Sequence, residues 1–286
     1  MLGIVWNNVI YYPILNLLLV FYNLFGNNLG SAIITIAIIS RFALIPLMKK
    51  QTEMTKKMSS LKPQLEELQK KYKNNPEKLS QEQIKLYKKV GYNPLGCLVT
   101  FLPQLIILSV LIQVIRNVTG GTLDGIYSFV QNWLNNGASL SINTQFLFWD
   151  LTKSYNDIAS ETGKFAVPAL LYFVLSLLVG VSQYFSSKFT QALQNPATIT
   201  ETKKKTKKKV KVQDLSPEEM QKKMSDSFMY IFPLTTVLIT LSTPAALSLY
   251  WAIQSFMLVF QYILMDKEKS KKNIEELLLK LKLKKK

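Results

Sequence analysis

A single arginine stands inside an otherwise apolar stretch. Arg41 lies in the window 29–48, seven residues before Met48. At 1.5 Å of rise per helical residue, that places it about 10 Å in from the helix end. An arginine stays charged at any accessible pH, and a charge at that depth costs about 2.5–3.5 kcal/mol on insertion scales. It must therefore face a wet cavity or a polar partner, or else snorkel its long side chain to the interface. The chemistry it offers is electrostatic, an attraction for acidic or polar groups with no bond made or broken. Polar residues in other apolar windows could solvate it: Thr100 and Gln104 in the second, Ser182 and Gln183 in the third, Gln254 and Ser255 in the last. Each alone could equally cement helix packing, at about 0.6 kcal/mol per contact. Together with Arg41 they predict a hydrophilic recess. The five apolar windows contain no acidic residue, and the nearest candidates, Asp226 and Asp266, fall at window ends.

Other chemistries are excluded by what the chain lacks. It has no histidine and one cysteine, Cys97, which removes disulfide frameworks, His/Cys metal sites and Ser-His or Cys-His nucleophile pairs. The glycine-rich G-x-x-x-x-G-K-[ST] phosphate cradle is absent as well, so no familiar nucleotide-driven motor is visible and no cofactor is expected. The chain reads as a binding and solvating protein rather than an enzyme.

The elements that must position these residues follow from hydropathy. Of the 286 residues 48% are hydrophobic, gathered in long runs, while the net charge is +17. A hydrocarbon core of about 30 Å needs roughly 20 helical residues. Windows 29–48, 95–116, 165–186 and 245–265 meet that length. A fifth, 227–243, is shorter and carries Pro233, with Pro244 and small residues making a tight hairpin into the last span. The expected fold is all-α and polytopic, with five transmembrane helices. Val9 to Phe25 is apolar but interrupted by Pro13, Asn16 and Asn23. A sixth span here would leave only Gly26, Asn27 and Asn28 as a hairpin and put both termini on one side, so residues 1–28 are expected to form an outer interfacial helix instead. A cleaved signal peptide would want basic residues at its start, and none precedes Arg41.

Lysine placement orients the spans. Twelve lysines fall in 49–94, ten in 187–226 and nine in 266–286, whereas 117–164 has only Lys153 and Lys164 against four acids. The N-terminus is expected outside and the C-terminus in the cytosol of a bacterial inner (plasma) membrane. Loop 117–164 then lies outside, with Trp133 and Trp149 as interfacial anchors.

The cytosolic segment 49–94 carries an apolar seam at Met54, Met58, Leu61, Leu65, Leu68 and Tyr72, spaced alternately by four and three. Pro63 should kink or restart that helix. Ser80 with Gln83 predicts a capping box that opens a second helix, after a turn at Asn74-Asn75-Pro76. A cytosolic helical hairpin results, either a self-packed connector or a surface that receives partners. The lysine tract holding Lys203, Lys204, Lys205, Lys207, Lys208 and Lys209, and the tail end Lys284, Lys285 and Lys286, attract polyanions, either anionic lipid headgroups or ribosomal RNA.

Longer motifs add a family resemblance. Ser40-Arg41 through Pro46 to Lys49-Lys50-Gln51, LKPQLEELQKKY at 61–72, LYKKVGYNPLGC at 86–97, FLFWDL at 146–151 and PAALSLYW at 244–251 follow one another along nearly the whole chain. In order and spacing the chain resembles the YidC-type insertases, in their shorter, Gram-positive-like form. Thr100 and Ile106 stand where relatives often carry proline, Ala246 replaces a usual glycine and Ser255 a frequent asparagine. The resemblance implies a membrane protein insertase and chaperone with a groove open to cytosol and lipid. It places Arg41 at the groove arginine, Trp251 at an aromatic groove position, and Tyr250 beside it. Client membrane proteins and the bilayer are the implied partners, with ribosome and a Sec-type translocon as further candidates. A small-solute transporter and a purely structural assembly partner are the rival readings. Inverted repeats are not apparent, and the cytosolic hairpin has no obvious task in transport.

Overall fold

The computed structural model describes residues 2–72, 75–89, 91, 102–135, 142–194 and 217–265. It is helical almost throughout, as expected, and the chain divides into two compact units.

One unit comprises residues 1–43, 103–186 and 231–261. Its first helix is built from α1 (Leu2–Val5), a π-helical stretch Trp6–Tyr11 and α2 (Tyr12–Leu24). The π register comes just before Pro13: the Tyr12 N–H reaches back five residues to the Asn7 carbonyl, and proline donates nothing. Helix α3 (Leu29–Ala43) is capped by Asn28, whose Oδ1 accepts the Ser31 N–H at 2.9 Å. The unit also holds α7 (Leu102–Thr119), from Pro103 onward, and α8 (Ser128–Asn135). A two-stranded hairpin of β1 (Gln145–Phe146) and β2 (Trp149–Asp150) and the short α9 (Tyr155–Thr162) complete the connection to α10 (Val167–Gln194), which belongs to this unit up to Ser186. The end of α11 (Pro217–Thr240) and most of α12 (Ala245–Met265) complete it.

The core gathers Tyr11, Leu15, Leu18, Leu19 and Tyr22 from α2 and its lead-in with Leu29, Ile33 and Ile36 of α3 and Val110, Leu111 and Val114 of α7. Six consecutive residues of α12, Ala245–Tyr250, are buried, so this helix enters the unit at its centre rather than on an edge. Helices α10 and α11 approach closely at Gly180, where an added Cβ would overlap the Val237 side chain.

Among the described residues four helices are long and apolar enough to cross a membrane: Gly3–Leu24, Leu102–Thr119, Val167–Phe189 and Ala245–Leu264. The last three coincide with expected spans, although residues 95–101 lie outside the described residues. The windows 29–48 and 227–243 give shorter apolar helices, Leu29–Ala43 and Met229–Thr240. The residues at 3–24, expected at the interface, form a helix of span length. Of its interrupting residues Asn16 turns inward, bonding to the Gly125 carbonyl at 2.9 Å and the Tyr127 N–H at 2.7 Å, and nearby Tyr11 accepts from Asn117 at 2.8 Å.

The other unit comprises residues 44–102, 187–230 and 262–286. It contains α4 (Ile45–Ser60), α5 (Lys62–Lys71) and α6 (Pro76–Lys89). Pro63 restarts the helix as α5, and α5 and α6 pair as a hairpin. Along the seam Leu61 and Leu65 are buried and Leu68 and Tyr72 half-buried. The capping box expected at Ser80 is not where α6 begins. Asn75 is the cap, its Oδ1 accepting the Lys78 N–H at 3.0 Å, with Pro76 as first helical residue; Ser80 falls inside the helix. Thr100 and the lysines 203–209 and 284–286 lie outside the described residues.

Candidate functional site

Helix α3 ends in Ser40-Arg41-Phe42-Ala43, and Pro46 explains why. Proline has no N–H for the Phe42 carbonyl four residues back, and the chain turns at Leu44 before α4 resumes. Arg41 thus sits in the last turn, where the partial negative charge of a helix C-terminus favours a cation. It is half-buried, and its Nε is out of solvent contact.

The opposing surface comes from α12. Tyr250, Gln254 and Gln261 recur at i, i+4 and i+11, within about 40° of one another around a helix axis. All three are buried. The Gln254 Nε2 donates to the Ser40 Oγ at 2.9 Å and to the Ala37 carbonyl at 3.2 Å. Gln261 Nε2 donates to the Arg41 carbonyl at 3.3 Å. From α7, Gln104 Oε1 accepts a long 3.4 Å bond from the Tyr250 hydroxyl, which also lies within hydrogen-bonding reach of Ser40 and Gln254 and feels the Arg41 charge. The result is a ring of uncharged amides and hydroxyls around the end of α3. It can fix the backbone at the end of α3 and share hydrogen bonds with a polar visitor. No cluster of three or more His, Cys, Asp or Glu that could hold a metal occurs among the described residues.

Of the residues expected at the site, the structure brings together Arg41, Gln104, Tyr250 and Gln254. Ser182 donates to the Val179 carbonyl of its own helix at 2.8 Å, and among the described residues no hydrogen bond ties Ser182 or Gln183 to this ring. Ser255 likewise bonds back to the Trp251 carbonyl at 3.0 Å. Trp251 is half-buried against the hydrophobic core, a turn of about 100° away from the Tyr250 face. Sequence reasoning missed Gln261 and Ser40. Gln261 carries a legible signal, a second glutamine seven residues after Gln254 and therefore on the same face.

The 150–157 segment fixes where α12 starts. The Leu151 and Lys153 carbonyls accept the Ala246 and Ala245 N–H groups at 3.0 and 2.9 Å, filling positions a helix N-terminus leaves open. Asn156 holds the other side of the turn, donating from its backbone to the Leu241 carbonyl at 3.0 Å and from Nδ2 to the Ser242 hydroxyl at 2.8 Å. Trp149, expected as an interfacial anchor, instead donates its indole N–H to the Leu171 carbonyl at 3.1 Å, while the Asp150 N–H donates to the Tyr172 hydroxyl at 2.7 Å.

Residues 20–273 match the model of the family described as "60Kd inner membrane protein". Over 257 residues the chain is 29% identical to the membrane protein insertase YidC 2 of Bacillus anthracis, covering 87% of this chain and 76% of that protein. The chain belongs to the YidC family. It is also 30% identical to the insertase YidC of Treponema denticola, across 88% of this chain but only 36% of that longer protein, and 26% identical to the insertase MisCA of Bacillus subtilis, across 94% and 82%. With its apolar helices, family membership makes this a multi-pass membrane protein.

Proposed function

We propose that this chain is a membrane protein insertase and chaperone, receiving client segments at the Arg41 ring and releasing them sideways into lipid without nucleotide hydrolysis. The observation that carries this reading is a half-buried arginine in the last turn of a 15-residue helix whose end is bonded by Gln254, at Ser40 and Ala37, and by Gln261, at the Arg41 carbonyl. Fifteen residues reach about 22 Å, short of a hydrocarbon core of about 30 Å. A short helix ending in a polar ring lowers the distance over which a client's hydrophilic tail meets hydrocarbon. Arg41 supplies a salt-screened attraction for acidic tails, weak enough to release. Burial of the client's own apolar helix in lipid then supplies the driving force.

In this reading the membrane is crossed with the N-terminus outside and the C-terminus in the cytosol, as the lysine asymmetry favours. The α5–α6 hairpin and the lysine tracts then face the cytosol, where anionic lipid or ribosomal RNA meets the lysines. A Sec-type translocon is a further candidate partner.

The test is reconstitution of the purified chain in liposomes with a single-span client bearing an acidic N-terminal tail. Insertion should require the protein, survive Arg41→Lys and drop with Arg41→Ala. Equal insertion into empty liposomes would remove the reading's support.

A further inference from the structure

The hairpin between α7 and α10 has two opposite surfaces. Its base is docked: Leu151 is fully buried, and Trp149 and Asp150 bond to Leu171 and Tyr172. Its tip is bare: Leu147 and Phe148 are 73% and 70% exposed. Leu147 also has φ +54, a left-handed conformation that a side-chain-bearing residue adopts at a cost and that glycine would adopt freely. The chain thus keeps a branched apolar residue where turn chemistry favours glycine.

The docking point sets the depth of the tip. The apolar span of α10 begins at Val167, so the Trp149 contact at Leu171 lies four residues, or about 6 Å, inside its end. A hairpin pinned there sits at the level of the headgroup and acyl boundary rather than in bulk water. Residues 142–149 contain no charge, and Phe165 and Val167 at the same end of α10 are 87% and 71% exposed. We propose that the Leu147–Phe148 tip is an interaction surface for lipid, inserting into the bilayer interface and fixing the depth of the clamp that holds the α11–α12 turn. A protein partner fits the tip poorly, since a stable interface needs about 800 Å² per side and one aromatic side chain supplies roughly 150–250 Å². Lipid needs no shape complementarity.

The test is spin-label accessibility in nanodiscs without client, in the Cys97→Ser background so that each label is unique. Leu147→Cys and Phe148→Cys are compared with Ser160→Cys on the exposed side of α9, and Phe165→Cys serves as a second reporter should a tip variant misfold. Labels at 147, 148 and 165 should collide with oxygen more than with a water-soluble nickel chelate, giving a ratio several-fold above that at 160. A ratio at 147 and 148 equal to that at 160 overturns the proposal. So does shielding of the tip that appears only when a client peptide is added, which would make it a client surface instead.

Discussion

Asn16 is the residue whose removal should cost the fold most for its size. Its Nδ2 donates to the Gly125 carbonyl at 2.9 Å and its Oδ1 accepts the Tyr127 N–H at 2.7 Å, so one side chain holds a loop more than 100 residues away. Asn16→Ala strands both loop groups. The third bond, to the Tyr12 carbonyl at 2.8 Å, matters less, because a helix carbonyl keeps its own backbone donor. The loop has little slack: Gly125 has φ +85, and a Cβ there would overlap the Tyr12 ring. A stranded buried donor or acceptor costs about 1–3 kcal/mol, and two of them with some access to water place the loss at about 2–4 kcal/mol. Reversible unfolding in mixed detergent micelles, followed by circular dichroism, measures it. Asn23→Ala is the internal control, since its single 3.3 Å bond to the Trp133 carbonyl is exposed and should be worth under about 0.5 kcal/mol. A loss for Asn16→Ala no larger than that of Asn23→Ala would refute the account of this helix as a polar joint.

Gly180→Ala should destabilise by about 1–3 kcal/mol through overpacking against Val237, and Val237→Ala in the same chain should recover most of it in the same unfolding assay. Asp157 accepts the Ser154 N–H at 2.8 Å and the Ser154 hydroxyl at 2.7 Å, and these bonds hold its carboxyl below the usual carboxylate range. Its ionised form is therefore the stabilising one: that contribution is complete above the ordinary value of about 3.9 and fades as pH falls through the lowered native value. The unfolding midpoint of Asp157→Asn should accordingly vary less than wild type below pH 4, and a parallel pH profile would count against a capping role for the Ser154–Asp157 pair at the start of α9. Gln254→Leu breaks the bonds to Ser40 and Ala37 and should cost only about 0.6–1.7 kcal/mol of stability. Liposome insertion of the acidic client should nevertheless drop with it, because the turn of α3 that carries Arg41 loses its two bonds to α12; unchanged insertion would separate Gln254 from the site.

The helical class, the apolar segments and the basic flanks were legible in the sequence, whereas the place of Arg41 was not: it was expected about 10 Å inside a helix running to Met48, but Pro46 ends α3 at Ala43 and leaves Arg41 in the last turn. Hydropathy and charge add up locally along the chain, and a helix converts residue count directly into length. The glutamine face of α12 was partly legible for the same reason, since Gln254 and Gln261 are seven residues apart. Tertiary structure alone decided what those polar side chains meet. Asn16 and Asn23 read as interruptions of a span, but their partners lie at Gly125, Tyr127 and Trp133, beyond the reach of any periodicity. Trp149 looked like a lipid anchor by residue type, yet Leu171 offers its indole a carbonyl, and the exposed anchor role shifts to its neighbours Leu147 and Phe148. Ser182 and Ser255 looked like site residues, but a helix lets a serine bond the carbonyl three or four residues back, so their polarity is spent at home. A sequence states which groups need partners; only the packing of distant segments states which partner each one finds.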